Sequence, residues 1–330
     1  MDNLRFFNFQ PSTDNPVLLL SADDLGKVLT PKVCLDALEE AYTALAEDLE
    51  SEPKTLGFKA DEGSFHIKAG VYPGTRHIFA AKLNANFPGN PGKGLPTIQG
   101  LVVLVDGARG VPLAVMDSGE LTALRTAAAN AMAARYGARA NSRVATIIGA
   151  GMQSGYVLEA FASVLPLNKI FVFDKDPEKA IAFCKKFDNQ TLIDVKPCKH
   201  ISDGTRESDV IITCTTARSP VLFKEHVKPG TFIAAIGADS AAKQELDPEL
   251  FRDAGVLVDD LEKCAAEAEL HHALDAGVIT KADVRADLCA LASGKSPGRE
   301  NDGEIVLFDS LGTGLQDVAA AWAAYQASVK

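Results

Sequence analysis

Val144-Ala-Thr-Ile-Ile148, followed by Gly149-Ala-Gly-Met-Gln-Ser-Gly155, is the stretch that decides the fold. A short run of apolar and β-branched residues reads as a buried strand. A glycine loop follows it, and then residues of helical character. That order is the context a dinucleotide-binding loop requires. Gly149 permits a tight turn. Gly151 lets backbone approach a pyrophosphate seated on the helix N-terminus. The third position of the fingerprint is Ser154, with Gly155 beside it. A glycine pattern alone also fits an ordinary strand–helix turn. The next strand, Ile170–Phe173, separates the two readings. It ends in Asp174, 23 residues after Gly151, and the fingerprint expects an acid about 20 residues on, bonded to the ribose hydroxyls. A carboxylate there repels a 2′-phosphate, which favours NAD(H) over NADP(H). Asp174 also fits a turn residue before Asp176, and the adjacent Lys175 weakens the bias against a 2′-phosphate.

Downstream, Val210–Cys214, Thr231–Ile236 and Val256–Val258 are further short apolar runs divided by helical or loop segments. Strand–helix alternation of this kind predicts a doubly wound parallel sheet. Upstream of Arg143 the grammar differs. Thr30 as N-cap and Pro31 in the first turn open a helix. Residues 64–71 and 77–84 alternate as strands around Pro73-Gly74, and Leu101–Val105 pairs with Val111–Val115. Asp117, with Glu120 three residues on, starts an Ala-rich helix over Leu121–Tyr136, suited to a domain junction. Near the end, Ile305–Phe308 reads as a strand and Gly314–Ser328 as an amphipathic helix.

The 330 residues suggest two domains. Apolar residues are 47% and charged residues 23%, the balance of a folded globular protein rather than a disordered one. The formal charge is −11 with no basic stripe, which argues against nucleic acid. No apolar run reaches the ~18 residues that span a bilayer. MDNLRFFNFQ carries an early acid and no apolar signal core. The six cysteines are scattered without a CxxC and read as reduced thiols of a cytoplasmic protein. The histidines show no metal-ligand spacing, so no metal is expected.

Three further features suggest chemistry. Arg125 sits among Ala and Leu near a helix start. It either forms a structural ion pair or offers a guanidinium to a substrate carboxylate. Lys68 and Lys82 lie on neighbouring alternating strands. Such lysines usually face solvent, but one inside a closed site can move protons. Asp239, in Ile236-Gly-Ala-Asp-Ser240, follows a sheet strand, where it either caps the next segment or reaches a ligand beyond the strand ends.

These segments together resemble the ornithine cyclodeaminase/mu-crystallin family. The resemblance runs from about Pro31 to the C-terminus. It is carried by Lys82 before Asn86-Phe-Pro88, Gly94-Leu-Pro96, Met116-Asp117, Leu121-Thr-Ala-Leu-Arg125-Thr126, Gly149-Ala-Gly-Met-Gln153, Ile236-Gly-Ala-Asp239, Glu245-Leu-Asp247, Phe308-Asp-Ser310 and Leu315-Gln-Asp317. It implies an α/β fold: a Rossmann-type domain inserted between an N-terminal α+β substrate and dimerisation domain and a returning C-terminal helix. The expected division is 1–125 plus 305–330 against 126–304, in a homodimer. By the same resemblance, Lys82 transfers a proton, Asp239 polarises water or the substrate nitrogen, and Arg125 binds the α-carboxylate. Gly149, Gly151, Met152, Gln153, Asp174, Thr126 and Thr215 are the candidate cofactor contacts.

Two departures bear on the substrate. Pro53-Lys54-Thr55 stands where many members have a Pro-x-Arg; if Lys54 replaces that Arg, bidentate geometry is lost and a point charge remains. Lys68 stands where many have Met, and an added cation suits a second carboxylate. The expected activity is an NAD(H)-dependent reductase or dehydrogenase interconverting an α-imino or α-keto acid and an L-amino acid. The alternatives are a cyclising ammonia-lyase that uses NAD catalytically and a non-catalytic, crystallin-like binding protein.

Overall fold

The computed structural model describes residues 5–7, 16–47, 53–74, 77–188 and 192–330. The N-terminal stretch examined for a leader therefore lies outside the described residues, apart from the backbone of 5–7. Two compact units emerge, Met1–Ala128 with Thr313–Lys330, and Ala129–Gly312.

The first unit begins with strands β1 (Arg5–Phe7) and β2 (Val17–Leu20) and helices α1 (Ala22–Val28) and α2 (Pro31–Leu45). Thr30 caps α2 as its sequence predicts, its side chain accepting from Val33 N–H at 3.3 Å. Strands β3 (Lys54–Ala60), β4 (Gly63–Val71), β5 (Ile78–Asn86), β6 (Ile98–Asp106) and β7 (Val111–Asp117) follow. They form a seven-stranded sheet in the order β1-β2-β7-β6-β5-β4-β3. Helix α3 (Ser118–Gly137) opens with Asp117 Oδ1 accepting from Glu120 N–H at 2.8 Å. The chain passes from the first unit to the second inside this helix, between Ala128 and Ala129.

The second unit continues with β8 (Val144–Ile148), α4 (Met152–Val164), β9 (Lys169–Phe173), α5 (Pro177–Asp188), β10 (Asp194–Pro197), α6 (Ile201–Thr205), β11 (Val210–Thr213) and β12 (Arg218–Leu222). Then come β13 (Phe232–Ala235), β14 (Gln244–Leu246), β15 (Ala254–Val258), α7 (Leu261–Glu267), α8 (Glu269–Asp275), β16 (Val284–Asp287), α9 (Leu288–Ala292) and β17 (Ile305–Asp309). Eight strands pair in parallel in the order β10-β9-β8-β11-β13-β17-β15-β16. The order reverses between β8 and β11, the switch point at which such sheets bind ligands. A separate parallel pair, β12 and β14, was not foreseen from sequence.

The last helix, α10 (Gly314–Ser328), returns to the first unit. The expected division differs at its edges. Strand β17 pairs with β13 and β15, so residues 305–312 belong with the parallel sheet and the return starts at Thr313. An apolar strand carries no local mark of which sheet will take it.

Candidate active site

In the first unit, alternation along β5 places Ile78, Ala80 and Lys82 on the buried face. The register aligns one row across the sheet: Thr55, Lys68, Lys82, Val102 and Met116. Helix α10 packs on β4 and β5. It comes close because its first residue is Gly314, where a Cβ would lie 2.7 Å from the Ala69 carbonyl oxygen. Asp317, one turn later, thereby reaches Lys82.

Three charged groups gather there. Asp317 Oδ1 accepts from Lys82 Nζ at 2.8 Å and from Arg125 Nε at 3.0 Å. Lys82 Nζ also donates to Thr122 Oγ1 at 3.1 Å, and Arg125 Nη1 donates to Gln316 Oε1 at 2.7 Å. Thr122 and Arg125, three apart on α3, share a face. Gln316 Nε2 in turn donates to Tyr42 Oη at 2.9 Å. Lys82, Arg125 and Asp317 are 3%, 4% and 1% exposed. The solvent-facing reading of Lys82 is thus overturned. α10, more than 200 residues downstream in the chain, covers its face.

Burial drives the Lys82 ammonium down to about 7, against the pull of Asp317 and with a further push from Arg125 and Lys68. Burial alone would raise the Asp317 carboxyl, but Lys82, Arg125 and Lys68 outweigh it and hold it below the usual carboxylate range. An ionised acid beside a lysine poised near neutrality can pass a proton at physiological pH.

Lys68 lies directly opposite Lys82 and is part-buried. Lys54 does not join them. It is opposed to Ala69, one position out of step with the Thr55–Lys68 pair, so alternation turns it to the other, exposed face. That face carries Leu56, Phe58, Phe65, Leu83, Leu101 and Val103, all exposed.

The second unit presents the glycine loop. Gly149 has φ +103°, and a Cβ there would lie 2.7 Å from the Cys214 carbonyl oxygen, so only glycine fits between β8 and the end of β11. At Gly151 a Cβ would meet nothing within 4 Å, which leaves the N-terminus of the 13-residue α4 open. These features fit a pyrophosphate. Ser154 replaces the third glycine by bonding back, its Oγ donating to the Gly149 carbonyl at 2.5 Å. Asp174 Oδ2 accepts from Ala150 N–H at 2.8 Å and Oδ1 from Asp176 N–H at 2.9 Å, so the acid braces both the loop and the turn. Met152 is exposed and Gln153 half-buried. Thr126, on α3, belongs to the first unit. A cavity of about 560 Å³ borders Gly151 and Met152 and runs between α4 and α5, past Tyr156 and Phe187.

Buried acids that sequence reasoning missed hold the strand ends of this unit. Glu245 Oε1 accepts from Thr215 N–H at 2.5 Å. Its Oε2 accepts from Gly237 N–H at 2.8 Å and Thr213 Oγ1 at 2.7 Å. Glu269 accepts from the Glu245 and Leu246 N–H groups, and Asp309 from those of Glu269 and Leu270. Burial raises Glu245, and takes Glu269 to about 9 and Asp309 to about 8. Glu245 and Asp309 stood in segments that matched the family but carried no assigned role, and Glu269 stood in none. The chain beyond Gly237 leads to Asp239, half-exposed and bonded to Lys243 Nζ at 2.6 Å.

Comparison with known proteins agrees with this architecture. A family profile described as the ornithine cyclodeaminase/mu-crystallin family matches residues 16–330. An alanine dehydrogenase from Archaeoglobus fulgidus is 36% identical over 312 residues, 94% of either chain. The structure of Thermococcus litoralis Δ1-pyrroline-2-carboxylate reductase in complex with NADH and L-proline superimposes with a TM-score of 0.90 at 31% identity, covering 95% of this chain and 98% of that one. An archaeal alanine dehydrogenase dimer with bound NAD gives a TM-score of 0.89 at 34% identity, covering 95% and 96%.

Proposed function

The chain belongs to the ornithine cyclodeaminase/mu-crystallin family, and on that premise we propose that it is an NAD(H)-dependent reductase and dehydrogenase interconverting an α-imino or α-keto acid and an L-amino acid. The observation that carries this reading is the buried Lys82–Asp317–Arg125 cluster, with its lysine near neutrality. The Thermococcus relative, solved with NADH and L-proline, supports the same reaction class.

Gly149, Gly151, Met152, Gln153, Asp174, Thr126 and Thr215 would hold the cofactor, NAD(H) rather than NADP(H) because of the Asp174 carboxylate. When bound, the nicotinamide supplies or accepts the hydride at C2. The remaining tasks fall to side chains. Arg125 takes the α-carboxylate, its recorded bonds being made through Nε and Nη1. In the reductive direction the C=N electron pair moves onto nitrogen as C2 receives the hydride, and the Lys82 ammonium gives its proton to that nitrogen. Asp239, carried by the second unit, would polarise the substrate nitrogen or a water that adds to C2. Lys68 extends the positive field and suits a substrate with a second carboxylate; Lys54, on the opposite face, is left out of this role. Holding the substrate in this geometry supplies much of the rate.

The exposed apolar face of β3–β6 is the surface through which two copies would pair. The archaeal alanine dehydrogenase was solved as a dimer. Among the described residues no helix is long and apolar enough to cross a membrane. Six free cysteines suit a cytoplasmic setting.

The test follows ammonia and NADH in one sample containing protein, NAD and a panel of alanine, aspartate, ornithine and lysine. Ammonia with an equal amount of NADH supports the proposal and identifies the side chain. Ammonia without net NADH overturns it in favour of the cyclising lyase.

A further inference from the structure

We propose that Asp317 Oδ2 accepts a hydrogen bond from the substrate nitrogen, and that this makes the site select C=N and amino substrates over the matching C=O acids. The inference rests on the reading above and deepens it by naming the substrate class.

Asp317 divides its two oxygens sharply. Oδ1 takes both cations, Lys82 Nζ and Arg125 Nε. Oδ2 is fully buried and has no hydrogen-bond partner among the described residues. A buried acceptor without a donor is costly, and in native proteins it is uncommon outside functional positions. Three donors around the carboxylate are directed to other acceptors. Lys82 Nζ is aimed at Oδ1 and Thr122, Arg125 Nη1 at Gln316 Oε1, and Gln316 Nε2 at Tyr42. The ligand supplies the missing donor, a substrate N–H.

The ligand chemistry follows from charge. Lys82, Arg125 and Lys68 together attract a carboxylate. One atom away from that carboxylate, an imino or amino acid carries N–H groups, and Oδ2 is the acceptor for one of them. A 2-keto acid offers only lone pairs at the same position. With Asp317 held ionised by the cations, the carboxylate has no proton to give a carbonyl oxygen. Two acceptors then face each other in a buried site, the arrangement that rejects a mismatched analogue most strongly. During reduction the iminium nitrogen gains the C=N electron pair as C2 gains the hydride. The N–H on Oδ2 is retained, and Lys82 supplies the additional proton that makes the ammonium product.

Asp317→Asn tests this in a directed way. Lys82 and Arg125 both donate to Oδ1, so the amide oxygen must stay there and the NH2 group must occupy the Oδ2 position. The acceptor becomes a donor. The probes are oxamate, which carries an amide N–H beside its carboxylate, and oxalate, a near-isostere without one. Titrated as inhibitors of imine reduction, or by calorimetry, wild type is expected to bind oxamate at least about tenfold tighter, although oxalate carries the greater charge. Asp317→Asn is expected to reverse that order and to raise keto-acid over imine turnover by about a hundredfold. Oxalate binding as tightly as oxamate to wild type overturns the proposal, and this comparison stands even if the variant fails to fold. Wild type that oxidises NADH with an imine yet shows no oxamate preference removes only the role of Asp317. Wild type with no imine turnover at all removes the reaction itself.

Discussion

Lys68 and Lys82 stand directly opposite each other on β4 and β5, two cations on one rung of an antiparallel pair. Like charges so placed repel, and the repulsion falls on the buried member, Lys82, because its ammonium has lost water. If Lys82 is the proton donor, imine reduction declines as pH rises through about 7, and amino-acid oxidation increases through the same range. Lys68→Met removes one of the depressing cations and moves both midpoints upward. Lys82→Ala is expected to abolish turnover with NADH binding intact. A pH–rate profile for each protein checks both statements; midpoints unmoved by Lys68→Met would sever the two lysines.

Asp174 bonds the Ala150 and Asp176 N–H groups with separate oxygens. Asp174→Asn removes the charge and keeps only one acceptor. NADH is expected to bind more weakly, and the preference over NADPH to shrink by about tenfold, the scale of one charge contact partly exposed to water. Fluorescence titration with both cofactors measures it, and an unchanged ratio would remove Asp174 from the ribose.

Glu245 joins the ends of β11 and β13 through Thr213, Thr215 and Gly237. In Glu245→Gln an NH2 group must face a backbone N–H. Leaving a buried donor unmatched costs about 1–3 kcal/mol. The variant should melt earlier and bind NADH about tenfold more weakly. Equal affinity would show that the strand ends hold their places without the carboxylate.

Burial pushes Glu269 up to about 9 and Asp309 up to about 8, against about 4 in an unfolded chain. The folded protein keeps protons that the unfolded chain has already released. Their contribution to stability is therefore greatest below about pH 4 and is lost as pH rises toward the folded values. Melting temperature is expected to fall between about pH 6 and pH 9 on this account. Asp309→Asn should flatten that slope while lowering the melting point at pH 6. A slope equally steep in the variant would point to other groups.

What could be read in advance was local. The Gly149 loop and Asp174 lie within one strand–helix–strand unit, so spacing alone marked them. Arg125 was marked by being a charge in an Ala-rich helix. Lys82 was only half legible: alternation paired it with one face, but whether that face is buried depends on α10. Asp317 was seen within a matching segment and given no role, since its partners lie 235 and 192 residues away. Lys54 was grouped with Lys68 as a stand-in for a family Arg, and neither strand's sequence gives the register that sets Thr55, not Lys54, opposite Lys68. The acids Glu245, Glu269 and Asp309 bond backbone rather than cations, so no charge pattern announced them.

Leu83 follows Lys82 on β5 and points the other way, onto the exposed apolar row with Leu56 and Leu101. Leu83→Asp should convert a dimer to monomers by light scattering while leaving the Lys82 ion pair in place. A dimer of unchanged affinity would place the interface elsewhere.

The alternation within β4 to β6 makes the two faces depend on strand length. Odd and even positions of one strand meet different surroundings, the buried ionic cluster on one side and the exposed apolar row on the other. Point substitutions can therefore tune either face without disturbing the other, whereas an insertion or deletion of a single residue exchanges them. Such a slip in β5 would drive Leu83 into the ionic cluster and strand Lys82 on the apolar face. The length of these strands, more than the identity of most of their residues, keeps the two faces apart.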